Sequence, residues 1–512
     1  MARYAAIDIG SNSIRMEAAE VTPGMPTRIL AADRQVTRLG ESVFRSGSIS
    51  PEAMQLAVTV LARMADTYKK LDVMAVRAVA TSAVRDTRNQ AEFIELASEA
   101  IGAPVEIISG REESRLVHLG VQSRWPHPDK RILIVDIGGG SAELIASENG
   151  RLRESMSKPL GAVRLAEMFL SEDPPSERHL HHMREYIDEK LANAIPRIGV
   201  GSWDHGIATS ATASAVICAV HRIPRTKREQ ADRARASAAQ VRQLYSKISS
   251  RSLAERRKIT GIGPKRAEII VPGTAVLLRA METFGLASFY YSAAGVRDGI
   301  IADLASRRVG RELSQLSRDQ RIEVEHMSSR YGVPLRHARK VADLSRHLFV
   351  ATMPLHQLPP QFGKLLEAAA YLHDVGHYVN DVSHHKHSYY LVANSDFAGF
   401  TDREREVIAN LCRYHRKTMP TSGHSPYQGL SGDEKRAVLF LIPLLRLADN
   451  LDRSHEQHVE SVNCRLHNGH FVVQLMSAPN VDVDLEQWAA ERVGEIFRQV
   501  YERPITVVKS RS

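Results

Sequence analysis

Ile132–Leu133–Ile134–Val135–Asp136–Ile137–Gly138–Gly139–Gly140–Ser141–Ala142–Glu143–Leu144–Ile145 is the stretch from which the fold of this chain can be read. Its first half is apolar and β-branched, the composition of a buried strand. Asp136 ends that run, and three glycines and a serine follow. Glycine permits a positive φ and lets another group approach the backbone closely. Successive amides of such a turn point into one concavity that suits an anion. From Ala142 to Ala146 the pattern is extended again, so the segment reads as strand, turn, strand. It lacks the Lys and the following helix of a Gly-x-x-x-x-Gly-Lys-Ser/Thr phosphate loop. Two readings stay open for this piece alone. One is a phosphate cradle with a carboxylate beside it to hold a metal ion or a water, and the other is a tight hairpin with no ligand.

A second copy favours the cradle. Tyr4–Ala5–Ala6–Ile7–Asp8–Ile9–Gly10–Ser11–Asn12–Ser13–Ile14–Arg15–Met16 repeats strand, Asp-Ile-Gly, small polar turn, strand. Internal repetition of this kind predicts two similar lobes, each offering a phosphate turn to a shared cleft.

At 512 residues the chain is too long for one core and should divide into two to four domains. Its 43% hydrophobic and 25% charged residues are ordinary for a globular protein. The net charge of +9 favours an acidic partner, whether polyphosphate, nucleotide, nucleic acid or membrane surface. Three isolated cysteines, Cys218, Cys412 and Cys464, argue against a disulfide framework or a zinc knuckle. They fit a reducing compartment. The first residues read as a strand with no signal region, and no apolar run reaches membrane-spanning length. The expectation is a cytoplasmic protein that does not enter the membrane.

Along the chain, Ser50–Pro51–Glu52 predicts a helix start. Thr81–Ser82–Ala83–Val84–Arg85 at a strand end reads equally as a phosphate contact or a helix cap. Ser109 and Glu112 form a Ser-x-x-Glu capping box, which gives Glu112 a structural task. Glu113 has none and points about 100° away from it. It is free either to take a proton from water beside a phosphate cleft or to sit solvated on the surface. Gly206–Ser214 is a weaker third phosphate turn. Ile259–Ala267, with its Gly-x-Gly and nearby Lys and Arg, reads either as a DNA-binding helix–hairpin–helix or as a plain helical connection. Arg307–Arg321 is a charged linker. From Ile322 to Asp452 the chain is helical and rich in histidine, with His337, His373–Asp374, His377, His384, His385, His387, His415 and Asp449. Histidine and aspartate on separate helices suit a divalent metal, although hydrogen-bonded helix-face histidines would look the same. From Val459 the pattern is β–β–α–β, with a single helix over Leu485–Val500.

Taken in this order, the motifs resemble the Ppx/GppA family of exopolyphosphatases and guanosine pentaphosphate phosphohydrolases. The resemblance runs through Asp8–Ser13, Ser109–Leu116, Asp136–Glu143, Gly161–Arg164 and Ser292–Gly299, and continues into a long form with an HD-type domain. It implies an actin-like, sugar-kinase/Hsp70-type α/β fold of two lobes, residues 1–125 and 126–306. An all-α HD-type domain (307–457) and a small α+β domain (458–512) follow. By the same resemblance Glu113 is the general base, Asp8 and Asp136 hold metal or water, and Glu143 is a supporting acid. Gly10, Ser11, Asn12, Ser13, Gly138, Gly139, Gly140 and Ser141 contact phosphate, and Arg85 faces the substrate. Ala211 replaces a glycine common in the third turn, which puts that turn in doubt. A similar Pro-x-Arg-Ala segment in family members counts against the DNA-binding reading. The implied cofactor is Mg²⁺ (or Mn²⁺), with a second divalent metal at His337, His373, Asp374 and Asp449. The implied reaction is release of terminal orthophosphate from polyphosphate by a homodimer. Its rivals are the same chemistry on guanosine pentaphosphate, a polyanion-binding regulatory protein, and a kinase.

Overall fold

The computed structural model describes residues 2–22, 24–306 and 314–509. The chain forms two compact units, Met1–Ser306 and Arg307–Ser512. Residues 307–313 of the expected linker lie outside the described residues. Its remainder already enters a helix, Arg318–Arg330, whose N-cap Ser317 accepts from Gln320 N.

The first unit is built on two sheets of matching topology. The first contains β1 (Ala2–Ile9), β2 (Ser13–Val21), β3 (Arg28–Val36), β4 (Ala75–Ala80) and β5 (Val105–Ile107), in the order β3-β2-β1-β4-β5. The second contains β6 (Arg131–Ile137), β7 (Ala142–Glu148), β8 (Arg151–Lys158), β9 (His205–Thr209), β10 (Arg235–Ser237) and β11 (Ser288–Tyr291). Its order is β10-β11-β9-β6-β7-β8. In each, an antiparallel meander leads into a parallel partner of its first strand: β1 beside β4, β6 beside β9. The two Asp-Ile-Gly segments therefore occupy equivalent places, as their sequence repetition predicts.

Two helices, Gly110–Arg124 and Val296–Ser306, cross between these sheets. Leu116, Val117 and Val121 of the first pack with Ile300, Ile301 and Leu304 of the second. Tyr4, Ala6, Ile132 and Ile134 of the sheets join them in one buried cluster. Glycine lets the helices approach this closely. A Cβ on Gly299 would lie 1.8 Å from the Leu116 carbonyl oxygen, and one on Gly120 2.2 Å from that of Gly295.

The second unit is helical from Arg318 to Asn450 and ends in a small sheet of β12 (Ser461–His467), β13 (His470–Met476) and β14 (Ile505–Lys509). Asn468 and Gly469, both at positive φ, close the β12–β13 hairpin. The single helix expected over Leu485–Val500 is instead two, Asp484–Glu491 and Gly494–Tyr501. Gly494 stands at the break. It has low helix propensity, and a Cβ there would lie 3.3 Å from Ile505 Cγ2 of β14. No helix among the described residues is long and apolar enough to cross a membrane.

Candidate functional site

The two turns are closed in the same way, Gly10 N donating to Ser13 O (3.2 Å) and Gly138 N to Ser141 O (3.0 Å). They face each other across one cleft. One expectation fails here, because none of Gly10, Gly138, Gly139 and Gly140 has a positive φ. At Gly139 and Gly140 it is close approach that demands glycine. A Cβ on Gly139 would lie 2.9 Å from Ser11 Cβ and 3.1 Å from Asn12 N, and one on Gly140 2.4 Å from Ser82 Oγ. From behind, the amides of Ala162, Val163 and Arg164 donate to the carbonyls of Gly138 and Gly139. Arg164 also bonds Gly140 O (2.8 Å) and pairs with Asp86. The Gly161–Arg164 segment thus braces the turn.

Asp8, Ser11, Asn12, Ser13, Glu113, Asp136, Gly138–Ser141 and Ser210 line this cleft together. Pairing places Asp136 opposite Glu143 in β6–β7 and Asp8 opposite Arg15 in β1–β2. Burial raises the Asp8 and Asp136 carboxyls. Burial, then the charge of Asp136, lifts Glu143 to about 7. Glu143 Oε1 accepts from Ser157 Oγ at 2.8 Å. Asp136 Oδ1, Glu113 Oε2 and Glu143 Oε2 are buried without a hydrogen-bond partner among the described residues. Unsatisfied carboxylate oxygens in such number suit a hard divalent cation, which takes oxygen ligands.

Glu112 and Glu113 are adjacent yet opposite in character. Ser109 Oγ accepts from Glu112 N, as the capping motif predicts. The Glu112 carboxylate, however, pairs with Arg77 (3.1 Å) and Arg115 (2.8 Å), and both arginines also reach Asp303 (3.0 and 2.9 Å). Although burial opposes it, the two arginines hold Glu112 below the ordinary carboxylate value. Glu113, on the next face of the helix, enters the cleft. Burial first, then Glu143, raises it well above 4.5. Arg85 stands 3.9 Å from Glu113 and donates to Ile108 O at 2.6 Å. It flanks Glu113 and is not among the residues lining the cleft.

Thr81 and Ser82 line the cleft, and Thr81 makes no side-chain cap to the helix that follows. The third turn is also at the cleft through Thr209, Ser210 and Ala211. Ser210 adopts φ 68°, and its hydroxyl donates to Ile137 O. Segment Ile259–Ala267 is not a helix–hairpin–helix, since the only helix leading into it spans Leu253–Arg256 and turns follow. Its Arg266 faces the cleft, as do Arg15 and Arg297. These three arginines also line an adjoining cavity of about 760 Å³ with Arg34, Arg225, Arg228 and Lys265. Isolated cations distant in sequence gave no sign of this shared wall.

In the helical unit His337, His373 and Asp449 bring one ligand atom each within 4.8 Å of one another, and so do Asp374, His377 and His384. His337 and His373 each stand 3.5 Å from Asp449, and His373 also 3.5 Å from Asp374. The Nε2 atoms of both histidines are buried without a hydrogen-bond partner among the described residues. Burial lowers the His373 imidazole, but Asp374 and Asp449 outweigh it and push it up to about 9. The four residues expected from sequence therefore meet. The sequence placed His377, His384 and His415 in the histidine-rich series but left them out of the expected four-residue set. His377, one turn after Asp374, was the one such residue with a local signal.

The Ppx/GppA phosphatase family model matches residues 18–308, more than half of the chain, and the model of Ppx/GppA phosphatase domain III matches residues 320–490. Among solved structures, an exopolyphosphatase-like protein is 28% identical, with a TM-score of 0.56 over 61% of this chain and 98% of its own. The Aquifex aeolicus Ppx/GppA family member is 25% identical, with a TM-score of 0.53 over 60% of this chain and 99% of its own. An exopolyphosphatase from Cytophaga hutchinsonii is 25% identical, with a TM-score of 0.55 over 59% and 97%. With its paired Asp-Ile-Gly turns, shared cleft and two-lobe fold, this chain belongs to the Ppx/GppA phosphatase family and is a phosphoanhydride hydrolase.

Proposed function

We propose that the first unit releases terminal orthophosphate from inorganic polyphosphate. The observation that carries this reading is Glu113, an unsatisfied buried carboxylate between two phosphate turns. Beside it the arginine-lined cavity has room for further phosphates. Glu113 takes a proton from water as the water oxygen attacks the terminal phosphorus. The new P–O bond forms as the bridging P–O bond breaks, and the shortened polyphosphate leaves in line. Amides and hydroxyls of the turns stabilise the charge on the equatorial oxygens. Asp8 and Asp136, with Glu143 behind them, would hold Mg²⁺ or Mn²⁺, whose charge neutralises phosphate oxygens. Arg15, Arg266 and Arg297, which line the same cleft, do the same.

Guanosine pentaphosphate is the competing substrate. Phosphate release by the purified full chain, measured on long polyphosphate, guanosine pentaphosphate and ATP, tests the choice. The expected order of kcat/KM puts polyphosphate first, and a preference for guanosine pentaphosphate reverses the assignment.

Glu113 must be ionised to act as base, and its environment favours the protonated form. Activity is therefore lost as pH falls, with an acid-limb midpoint well above the ordinary Glu value of 4.5. A kcat/KM profile that stays flat down to pH 5 contradicts this.

A second reading concerns the helical unit, favoured by the two buried, unpartnered Nε2 atoms. His337, His373, Asp374 and Asp449 form an HD-type site for a divalent first-row ion. Elemental analysis of the full chain and of a His373→Ala/Asp374→Ala variant checks it. The variant is expected to lose about one ion per chain, and equal content in both sinks the reading.

A further inference from the structure

The two phosphate turns belong to different lobes, so their separation is set by whatever packs against both. The helix Leu39–Ser46 does so. At its start, Thr37 N and Arg38 N donate to Asn12 O (both 3.2 Å), and Gly40 N donates to Ser11 O (2.7 Å). A Cβ on Gly40 would lie 2.9 Å from Ser11 Cβ, so the helix rests directly on the first turn. One helical turn later, on the same face, comes Phe44. Its Cζ lies 2.6 Å from where a Cβ on Gly140 of the second turn would stand. Its Cε2 lies 2.8 Å from the corresponding place at Gly40. The ring thus fills the space between the helix and the second turn.

Phe44 is held from both lobes. It packs against the core of the first lobe and also against Ala162, Val163 and Ile269 of the second. The Arg164 guanidinium lies over the ring, 4.0 Å from its centroid, a favourable cation–π contact. The same guanidinium donates to Gly140 O (2.8 Å) and to Ser82 Oγ (3.2 Å). Stacking on Phe44 therefore fixes the group that holds the second turn. Outside this contact, Arg45 pairs with Glu167 (2.7 Å) and Arg38 with Glu268 (2.6 Å), each joining the helix to the second lobe. Phe44, Arg45 and Glu167 are not among the residues lining the cleft, so none of them meets the substrate there.

We propose that the helix Leu39–Ser46 is a spacer that sets the separation of the two phosphate turns, with Phe44 as its positioning residue. This rests on the reading of the turns as the phosphate site, and it concerns the terminal phosphoryl group that polyphosphate and guanosine pentaphosphate share. Hydrogen bonds from turn amides are short-ranged and directional. The pull of the arginine-lined cavity on the rest of the substrate falls off only gradually with distance. Slack of ~1 Å between the turns therefore weakens transition-state stabilisation, by as much as about 100-fold, and barely changes capture of the substrate.

The test measures steady-state phosphate release by the full chain on whichever of polyphosphate, guanosine pentaphosphate and ATP the wild type prefers, beside thermal melts. Phe44→Ala should lower kcat at least about tenfold and move KM by less than about threefold. Phe44→Leu, which keeps most of the apolar volume, should stay within about threefold of the wild-type kcat. Phe93→Leu is the control for lost packing, because Phe93 is fully buried in the same lobe and does not line the cleft. It should melt lower than wild type with kcat unchanged. Arg45→Glu loosens the spacer from outside, since the Arg45 side chain is 74% exposed. It should lower kcat about three- to tenfold without changing the melt, and Arg45→Glu/Glu167→Arg should restore kcat. A Phe44→Ala protein with the wild-type kcat, or an equal loss of kcat in Phe93→Leu, overturns the spacer and leaves the site reading intact. If melts show that Phe44→Ala has not folded, an unchanged kcat in Arg45→Glu overturns it instead. A wild type that releases no phosphate from any of the three substrates overturns the site reading and the spacer with it.

Discussion

Glu113→Gln is expected to abolish phosphate release and leave the fold intact, while Glu112→Gln leaves the chemistry intact and weakens the fold. Loss of a general base costs about 10²–10⁴-fold in rate, and Gln cannot take a proton from water. The same change removes a charge that burial disfavours. Glu113 has a folded pKa above its unfolded value of about 4.5. Its contribution to stability is therefore lost as pH rises from that value through the folded one. Glu113→Gln should accordingly melt higher than wild type at pH 8, with the gap closing below about pH 4.5. Glu112 has the opposite sign. Its depressed pKa contributes stability above the unfolded value, through the network with Arg77, Arg115 and Asp303. Breaking a buried pair typically costs about 3–5 kcal/mol. Steady-state rates and melts of the two variants decide the matter, and a dead Glu112→Gln beside an active Glu113→Gln refutes the assignment.

The second large effect is expected at Gly299. An alanine Cβ there would meet the Leu116 carbonyl at 1.8 Å, so the two central helices must separate. Overpacking a tight contact costs about 1–3 kcal/mol, occasionally more. Because backbone lies on both sides, we expect about 3 kcal/mol or more. Activity should fall as well. One helix carries Glu113, and the start of the other brings Gly295, Val296 and Arg297 to the cleft. Gly432→Ala is the control, since its Cβ would meet nothing within 4 Å and its φ is ordinary. Melting temperature and kcat of both variants check this, and a Gly299→Ala protein as stable and active as Gly432→Ala contradicts the close crossing.

The paired Asp-Ile-Gly turns, the capped helix starts at Ser50 and Ser109 and the Asn468–Gly469 hairpin were legible in the sequence. Each is set by residues within a few positions of one another, so local conformational preference and periodicity suffice. The two similar lobes followed from repetition alone. Sequence by itself could separate Glu113 from Glu112 only by a cap. It could not show that Glu112 is held by Arg77 from 35 positions away, through a partnership that includes Asp303, 226 positions from Arg77. Nor could it show why positions 139 and 140 of the second turn need glycine, since the demand there comes from Ser11, Asn12 and Ser82 of the opposite lobe and not from φ. The arginine wall of the cleft and the grouping of His377 and His384 with Asp374 have the same origin. Ligand geometry and electrostatic environment depend on distances across space, and tertiary packing sets those distances after local preference has done its part.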